Sequence, residues 1–165
     1  MKKIFFFDFD GTITNRDSFI LFTFHALSIT QLLSYWTKIF FSICFTSVPK
    51  SKLKEFFFIN FFKNTNSKDF QLVCDNFINI YFEKIIKKSF LEYVKNIDEK
   101  STVVIVSASI KNYLQPWCDK MGFDLICTEL EIKSDRLTGK FYTPNCNYNE
   151  KLNRILSKYD LKEYE

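Results

Sequence analysis

Asp8 and Asp10 stand two residues apart in FFFDFDGT (residues 5–12), straight after an aromatic run and just before Gly11 and Thr12. Two like charges at the end of an apolar strand repel, so a cation or a division of roles is needed to stabilise them. The stretch has two readings. In one it is an acidic surface turn, with Asp10-Gly11 making the turn and Asp8 capping it. In the other it is a reactive site. Hard divalent cations prefer oxygen ligands, and Mg2+ takes one or two carboxylates together with phosphate oxygens. A carboxylate can also attack phosphorus and form an acyl phosphate. Gly11 would let the backbone turn closely around the bound group.

The elements around this pair decide where it sits. KIFFFDF (3–9) and TVVIVSAS (102–109) are continuous apolar runs, the pattern of central parallel strands covered on both faces. FDLICTEL (123–130) is a third strand candidate, followed by a hairpin from Glu131–Leu137 and Gly139–Tyr142 around SDRLTGK. Between the first two strands the spacing predicts helices over Ser18–Leu27, Gln31–Phe45, Lys52–Lys63 and a broken Lys68–Ile97. Ser28 or Thr30 and Asn66 or Ser67 serve as N-caps, and Pro49 is an interruption. This connection is too long for one crossover helix, so it reads as a helical insertion seated after the acidic turn. Helices over 111–121, stopped by Gly122, and over Glu150–Tyr159, with Leu152, Ile155 and Leu156 inward, follow the later strands. The order predicts an α/β open sheet with right-handed crossovers. Ligands of such sheets gather beyond the carboxyl ends of the strands, where Asp8, Asp10, Ser107 and Ser109 all fall.

Composition removes other classes. With 165 residues the chain is one domain with room for an insertion. Its net charge of +4 is dispersed, and the Lys84, Lys87 and Lys88 cluster reads as a solvated face. Without aromatic–basic interleaving, nucleic acid is not an expected partner. The five cysteines (Cys44, Cys74, Cys118, Cys127 and Cys146) are odd in number and include no CxxC spacing. They are read as buried thiols of a reducing cytoplasm rather than disulfides or zinc ligands. Asp8 and Asp10 interrupt the N-terminal apolar run too early for a signal peptide. The apolar stretch Ile39–Val48 is about half of the ~20 residues a bilayer span needs. Phe supplies 21 of the aromatic residues, which composition alone assigns to mutational bias. His25, the only histidine, reads as packing rather than catalysis.

DFDGT after an apolar strand, VVIVSAS ending a second, and a Glu-Lys dipeptide opening a later helix together resemble the haloacid dehalogenase-like hydrolases. The segment CTELEIKSDRLTGKFYTPNCNYNEKLNRI narrows this to the phosphoserine-phosphatase-like branch. The resemblance spans residues 3–160. It implies a Rossmann-like core (1–14 and 91–165) with a parallel sheet, and a helical cap (15–90) inserted after the first strand. It further implies a Mg2+-dependent phosphatase that hydrolyses a phosphomonoester through an aspartyl-phosphate. Asp8 would be the nucleophile. Asp10 would be general acid, then base, with its backbone carbonyl also on the metal, so that Asp8 and Asp10 are the metal residues. Ser107 would bind a phosphate oxygen, with Thr12 and Ala108 as further phosphate positions. Lys151 would steady the charge on Asp8 and the phosphoryl group. The helix N-terminus after Ser107 would add anion donors. Read from the residues alone, Ser107 and Ser109 are as well explained as an N-cap pair, and Lys151 as a surface lysine. Lys140 competes with Lys151 but lies within the hairpin. The Asn145–Cys146 pair reads as serving its local turn.

The family's further acidic motif, after another strand, has no counterpart before the chain stops at SKYDLKEYE, where Asp160 and Glu163 cannot stand in. The expectation is therefore a C-terminally truncated sequence, with the last core strand missing and the first strand left with an open edge. The 165-residue chain is then either an enzyme or a catalytically incomplete phosphate- or partner-binding fragment. Transfer to an acceptor other than water is a second enzymatic reading. For the substrate, a small phosphoserine-like phosphomonoester competes with a lipid phosphate. The latter rests on DSFILFTFHAL and LLSYWTKIFFSICF, which resemble phosphatidylglycerophosphatase-type caps. Those stretches read first as a helix–helix core and second as a peripheral membrane surface, at the inner face of the membrane of a cytoplasmic protein.

Overall fold

A computed structural model describes residues 2–45 and 52–164, with the side chains of 42–45 left out of the description. Pro49 and the side chain of Cys44 therefore lie outside the described residues. Strand β1 (Ile4–Asp8) runs into a wound turn, Phe9–Ile13, and then helices α1 (Ser18–Ala26), α2 (Ile29–Phe45), α3 (Leu53–Phe61), α4 (Ser67–Ile85) and α5 (Lys88–Lys95). Strand β2 (Thr102–Ile110), helix α6 (Lys111–Met121) and strand β3 (Asp124–Thr128) come next. The hairpin β4 (Leu130–Lys133) and β5 (Arg136–Phe141) and helix α7 (Asn149–Lys158) complete the order. The open α/β sheet expected from the apolar runs is present: β1, β2 and β3 are parallel, in that spatial order. Register aligns Asp8 with Val106 and Ser107 with Cys127, which puts the ends of all three strands together.

β2 is the central strand, with Val103 through Ser107 all buried and only Thr102 and Ala108 half-buried. Among the described residues β1 pairs only with β2, so its other edge is open as the resemblance implied, and Ile4–Phe7 are half-buried. The apolar run marked a strand but could not tell an edge from a centre. The two faces of β1 are nonetheless packed: Phe7 meets Phe90 of α5 edge-on at 5.2 Å, and Phe6 meets Tyr159 beyond α7 at 5.7 Å.

The helices between β1 and β2 enclose an aromatic core. Phe22 lies against Phe57, Phe58, Phe62, Phe70 and Phe77, with ring centroids 5.3–6.5 Å apart and mostly tilted or edge-to-face, the arrangement that the ring quadrupole favours. The abundance of Phe thus has a packing role in this chain. Gly139 of β5 takes φ +81°, and a Cβ there would meet the Ile59 backbone at 2.5 Å, so α3 rests directly on the hairpin. Asn66 caps α4 through its side chain, and Ser28 and Gln31 hydrogen-bond reciprocally at the start of α2. The region expected as a broken helix divides at Ile86–Lys87 into α4 and α5.

Other expectations need correction. The hairpin turns on Ser134–Asp135, both with positive φ, so Thr138, left between the two expected strands, lies within β5. Leu152 and Leu156 of α7 are exposed; only Ile155 packs toward the sheet, because α7 covers little of it. The exposed face of α1 and α2 is likewise not helix–helix core: Ile20, Phe24, Ile29, Leu33, Trp36 and Phe40 stand in solvent. Cys74, Cys118, Cys127 and Cys146 are buried free thiols, as expected, and burial raises the pKa of each. His25 packs between Phe77 and Tyr81, and burial lowers its pKa. No helix among the described residues is long and apolar enough to cross a membrane.

Candidate active site

The turn after β1 is what separates the two aspartates. Asp8 is the last residue of the strand, and its Oδ1 accepts a hydrogen bond from the Phe9 amide at 2.8 Å. The chain then winds so that the Thr14 amide reaches the Phe9 carbonyl at 3.1 Å, with Gly11 at φ +78°, a left-handed conformation open to glycine. Thr14 ties the turn from inside, accepting from the Gly11 amide and donating to the Arg16 carbonyl. Lys87 closes it from outside, with Nζ on the Gly11 carbonyl at 2.8 Å. Lys87 therefore serves the turn and is not simply part of a solvated face.

Asp8 and Asp10 end in different surroundings. Lys151, in the first turn of α7, places Nζ 2.6 Å from Asp8 Oδ1, and the Asp8 side chain is 47% exposed. This is the lysine expected from the Glu-Lys dipeptide; Lys140 is exposed on β5 and makes no ion pair with either aspartate among the described residues. Asp10 is instead gripped on both oxygens. The Ser18 amide donates to Oδ1 and the Ser109 hydroxyl to Oδ2, each at 2.7 Å. Behind them Ser18 Oγ lies 3.1 Å from Ser109 Oγ and 3.4 Å from the hydroxyl of fully buried Tyr113. Burial raises the Tyr113 pKa, which keeps the phenol protonated as a member of this chain of hydroxyls. No buried side-chain polar atom among the described residues lacks a partner, as a polar network in a low-dielectric interior requires.

Ser107 sits at the end of β2, 1% exposed, where its hydroxyl accepts from the Ser109 amide at 3.0 Å. Neither serine caps a helix: β2 runs on to Ile110, which is the N-cap position of α6. α6 starts at Lys111, as its sequence pattern predicts. The Ala108 carbonyl accepts from Thr128 Oγ1 at 3.2 Å and from Lys54 Nζ at 3.4 Å. Thr12 is exposed in the wound turn. Asn145 and Cys146 do serve their local loop, which they pin to β3 through Thr128.

Four participants escaped sequence reading: Ser18, Ser109 as an Asp10 ligand, Tyr113 and Lys54. Lys54 comes from α3 and lies over the Phe19 ring at 5.1 Å. Burial lowers its pKa, while Asp10, Asp17 and Asp8 act in the opposite direction by favouring the ammonium. These residues are joined to the turn by tertiary contact, and the one sequence signal was the lysine-rich approach to α3 (KSKLK).

A hard cation takes carboxylate and carbonyl oxygens. Asp8 Oδ2 makes no hydrogen bond among the described residues, whereas both Asp10 side-chain oxygens are taken. No three His, Cys, Asp or Glu side chains among the described residues gather into a group that could hold a metal. An ion at this turn would therefore meet the Asp8 carboxylate rather than the Asp10 side chain, whose oxygens are both taken.

Residues 5–165 match the family model described as haloacid dehalogenase-like hydrolase. The chain belongs to this family. A comparison with curated proteins gives no match. Among solved structures it is similar to a protein of unknown function from Bordetella pertussis Tohama I (15% identity, TM-score 0.79, 99% of this chain and 79% of that one). It is also similar to a phospho-aspartyl intermediate analogue of phosphoserine phosphatase (15%, 0.61, 99% and 74%). A third is a probable phosphoserine phosphatase from Vibrio cholerae (13%, 0.70, 99% and 48%). At these identities the likeness is one of fold: the three-stranded parallel sheet and its helices match that of the family's Rossmann-like core.

Proposed function

We propose that the chain is a Mg2+-dependent phosphomonoesterase that works through an aspartyl-phosphate on Asp8. The observation that carries this reading is the unequal treatment of the two aspartates: one exposed and paired with Lys151, the other locked by donors. An Asp8 carboxylate oxygen attacks phosphorus as the bond to the substrate's alcohol oxygen breaks. Asp10 gives the departing oxygen its proton. Asp10 then takes a proton from water, whose oxygen attacks the phosphoryl group; the bond to Asp8 breaks and its carboxylate returns. The proton taken in the second half is the one given to the next leaving alcohol.

Phosphoryl transfer asks mainly for positioning and charge stabilisation. Lys151 supplies the charge, and Thr12, Ser107 and Ala108 are the phosphate positions. A Mg2+ held by the Asp8 carboxylate and the Asp10 carbonyl would supply further neutralisation of the phosphoryl oxygens. Residues 15–90 act as a cap over a core formed by 1–14 and 91–165, and Lys54 is the cation that the cap contributes. The phosphoserine phosphatases among the structural relatives favour a small phosphomonoester as substrate. The reading is tested by hydrolysis of an aryl phosphate with Mg2+: turnover is expected to stop with EDTA and in Asp8→Asn. Turnover that persists in Asp8→Asn contradicts it.

A further inference from the structure

Lys151 reaches Asp8 from a helix that burial does little to hold. No residue of α7 is buried, and Leu152 and Leu156 stand in solvent. Ile155 is the one α7 residue packed against the apolar core. No side-chain cap fixes the start of the helix, where Tyr148 is exposed. The contact between Lys151 Nζ and Asp8 joins side chains that are 24% and 47% exposed. An ion pair so open to water contributes little, so it cannot seat the helix that carries it. Something else must set where Lys151 falls.

Arg154 lies about one turn on from Lys151, on the same side of the helix. All three of its guanidinium nitrogens are used. Nε donates to Glu150 Oε1 at 2.7 Å, Nη1 to the Cys127 carbonyl at 2.6 Å, and Nη2 to the Pro144 carbonyl. The side chain is only 17% exposed. Its acceptors belong to three segments: the first turn of α7, the end of β3, and the loop that enters α7. Cys127 is in register with Ser107 of β2, so the guanidinium ties α7 to the end of the sheet where Ser107 and Asp8 lie. A planar fork of donors fixes an orientation, which a single ammonium does not. The far end of the helix is tied separately, by Lys158 Nζ on the Leu125 carbonyl at 3.4 Å and by the Tyr159 hydroxyl on Asp124 at 2.6 Å. Arg154 is thus the anchor of the end that carries Lys151.

We propose that Arg154 is a positioning residue: by seating the first turns of α7 on β3 and on the entering loop, it holds Lys151 on Asp8. Its nitrogens go to Glu150 and to two carbonyls rather than to either aspartate, so it acts through Lys151 and not at the phosphoryl group. The seating stands on its own geometry. Only its effect on turnover rests on the phosphomonoesterase reading.

Two measurements on the full chain test this, the first without substrate. In brief acetylation with acetic anhydride, read by mass spectrometry, Lys151 is expected to react slowly in the wild type relative to exposed Lys140, because it is paired and largely covered. Arg154→Met is expected to raise the Lys151 rate severalfold and Arg154→Lys to raise it less, with Lys140 unchanged. The second measurement is a double-mutant cycle on aryl phosphate hydrolysis. Arg154→Met is expected to lower kcat/KM about tenfold to a hundredfold, the scale of a small misplacement of a catalytic group. In the Lys151→Ala background the same change should cost less than about twofold, because the group it positions is gone. A purely structural role would give the same loss in both backgrounds, and equal losses overturn the proposal. An unchanged Lys151 acetylation rate in folded Arg154→Met overturns it as well; if that variant misfolds, Arg154→Lys carries both measurements on a smaller scale. Absence of turnover in the wild type would contradict the phosphatase reading alone, and the acetylation rates then decide the seating.

Discussion

Asp8 and Asp10 belong to one turn but to two different parts of the molecule. Asp8 faces α7 and solvent, where one lysine and one backbone amide meet a single oxygen and the other is left open. Asp10 faces the helical segment and the end of β2, where Ser18 and Ser109 take both oxygens and Tyr113 backs them. A group that must form and break a bond to phosphorus needs an accessible oxygen. A group that must move protons needs a fixed position and a reproducible environment. Burial and hydrogen bonding thus separate the roles of two chemically identical side chains.

That contrast sets an order of expected effects. Asp8→Asn keeps the shape of the turn but removes the nucleophile, and kcat is expected to fall by about 10⁴-fold or more in a steady-state assay. Lys151→Ala leaves Asp8 in place without its cation; a loss of about 10²- to 10³-fold in kcat/KM is expected, and Lys151→Arg, which keeps the charge, should lose less. On the other side, Ser109→Ala takes one of two donors from Asp10. A charge-assisted hydrogen bond of about 1.5–3 kcal/mol translates into a loss of roughly tenfold to a hundredfold in kcat, with KM little changed. An equal effect of Ser109→Ala and Asp8→Asn would abolish the distinction between the two sides. The smallest change is expected in Lys54→Met, an increase in KM of about tenfold. Because burial lowers the Lys54 pKa, its ammonium is lost on raising the pH earlier than that of an exposed lysine. The alkaline rise in KM should be present in the wild type and missing from Lys54→Met.

The sheet was legible in the sequence to the extent that it depends on local pattern. Val103–Val106 is continuously apolar, and β2 is buried accordingly; KNYLQPWCDKM became α6 with its Gly122 stop. Ile4–Phe7 has the same composition, yet among the described residues β1 pairs only with β2, because the neighbours of a strand are set by partners far along the chain. Asp8 and Asp10 were legible from their motif and Lys151 only through the family resemblance; the structure brings Lys151 onto Asp8. Ser18, Tyr113 and Lys54 were not, since their contacts to the site join α1, α6 and α3 to the end of the sheet across long stretches of chain. LLSYWTKIFFSICF was legible as an apolar helical stretch, but its pattern does not say whether an apolar face meets protein, lipid or water.

The covalent step on Asp8 is most directly tested by mass spectrometry of acid-quenched protein after brief mixing with substrate and Mg2+. A single phosphoryl adduct on the peptide containing FFFDFDGT is expected, chased away by longer incubation and lacking in Asp8→Asn. Turnover with no adduct there, or an adduct on another residue, would contradict the assignment of Asp8 as the nucleophile.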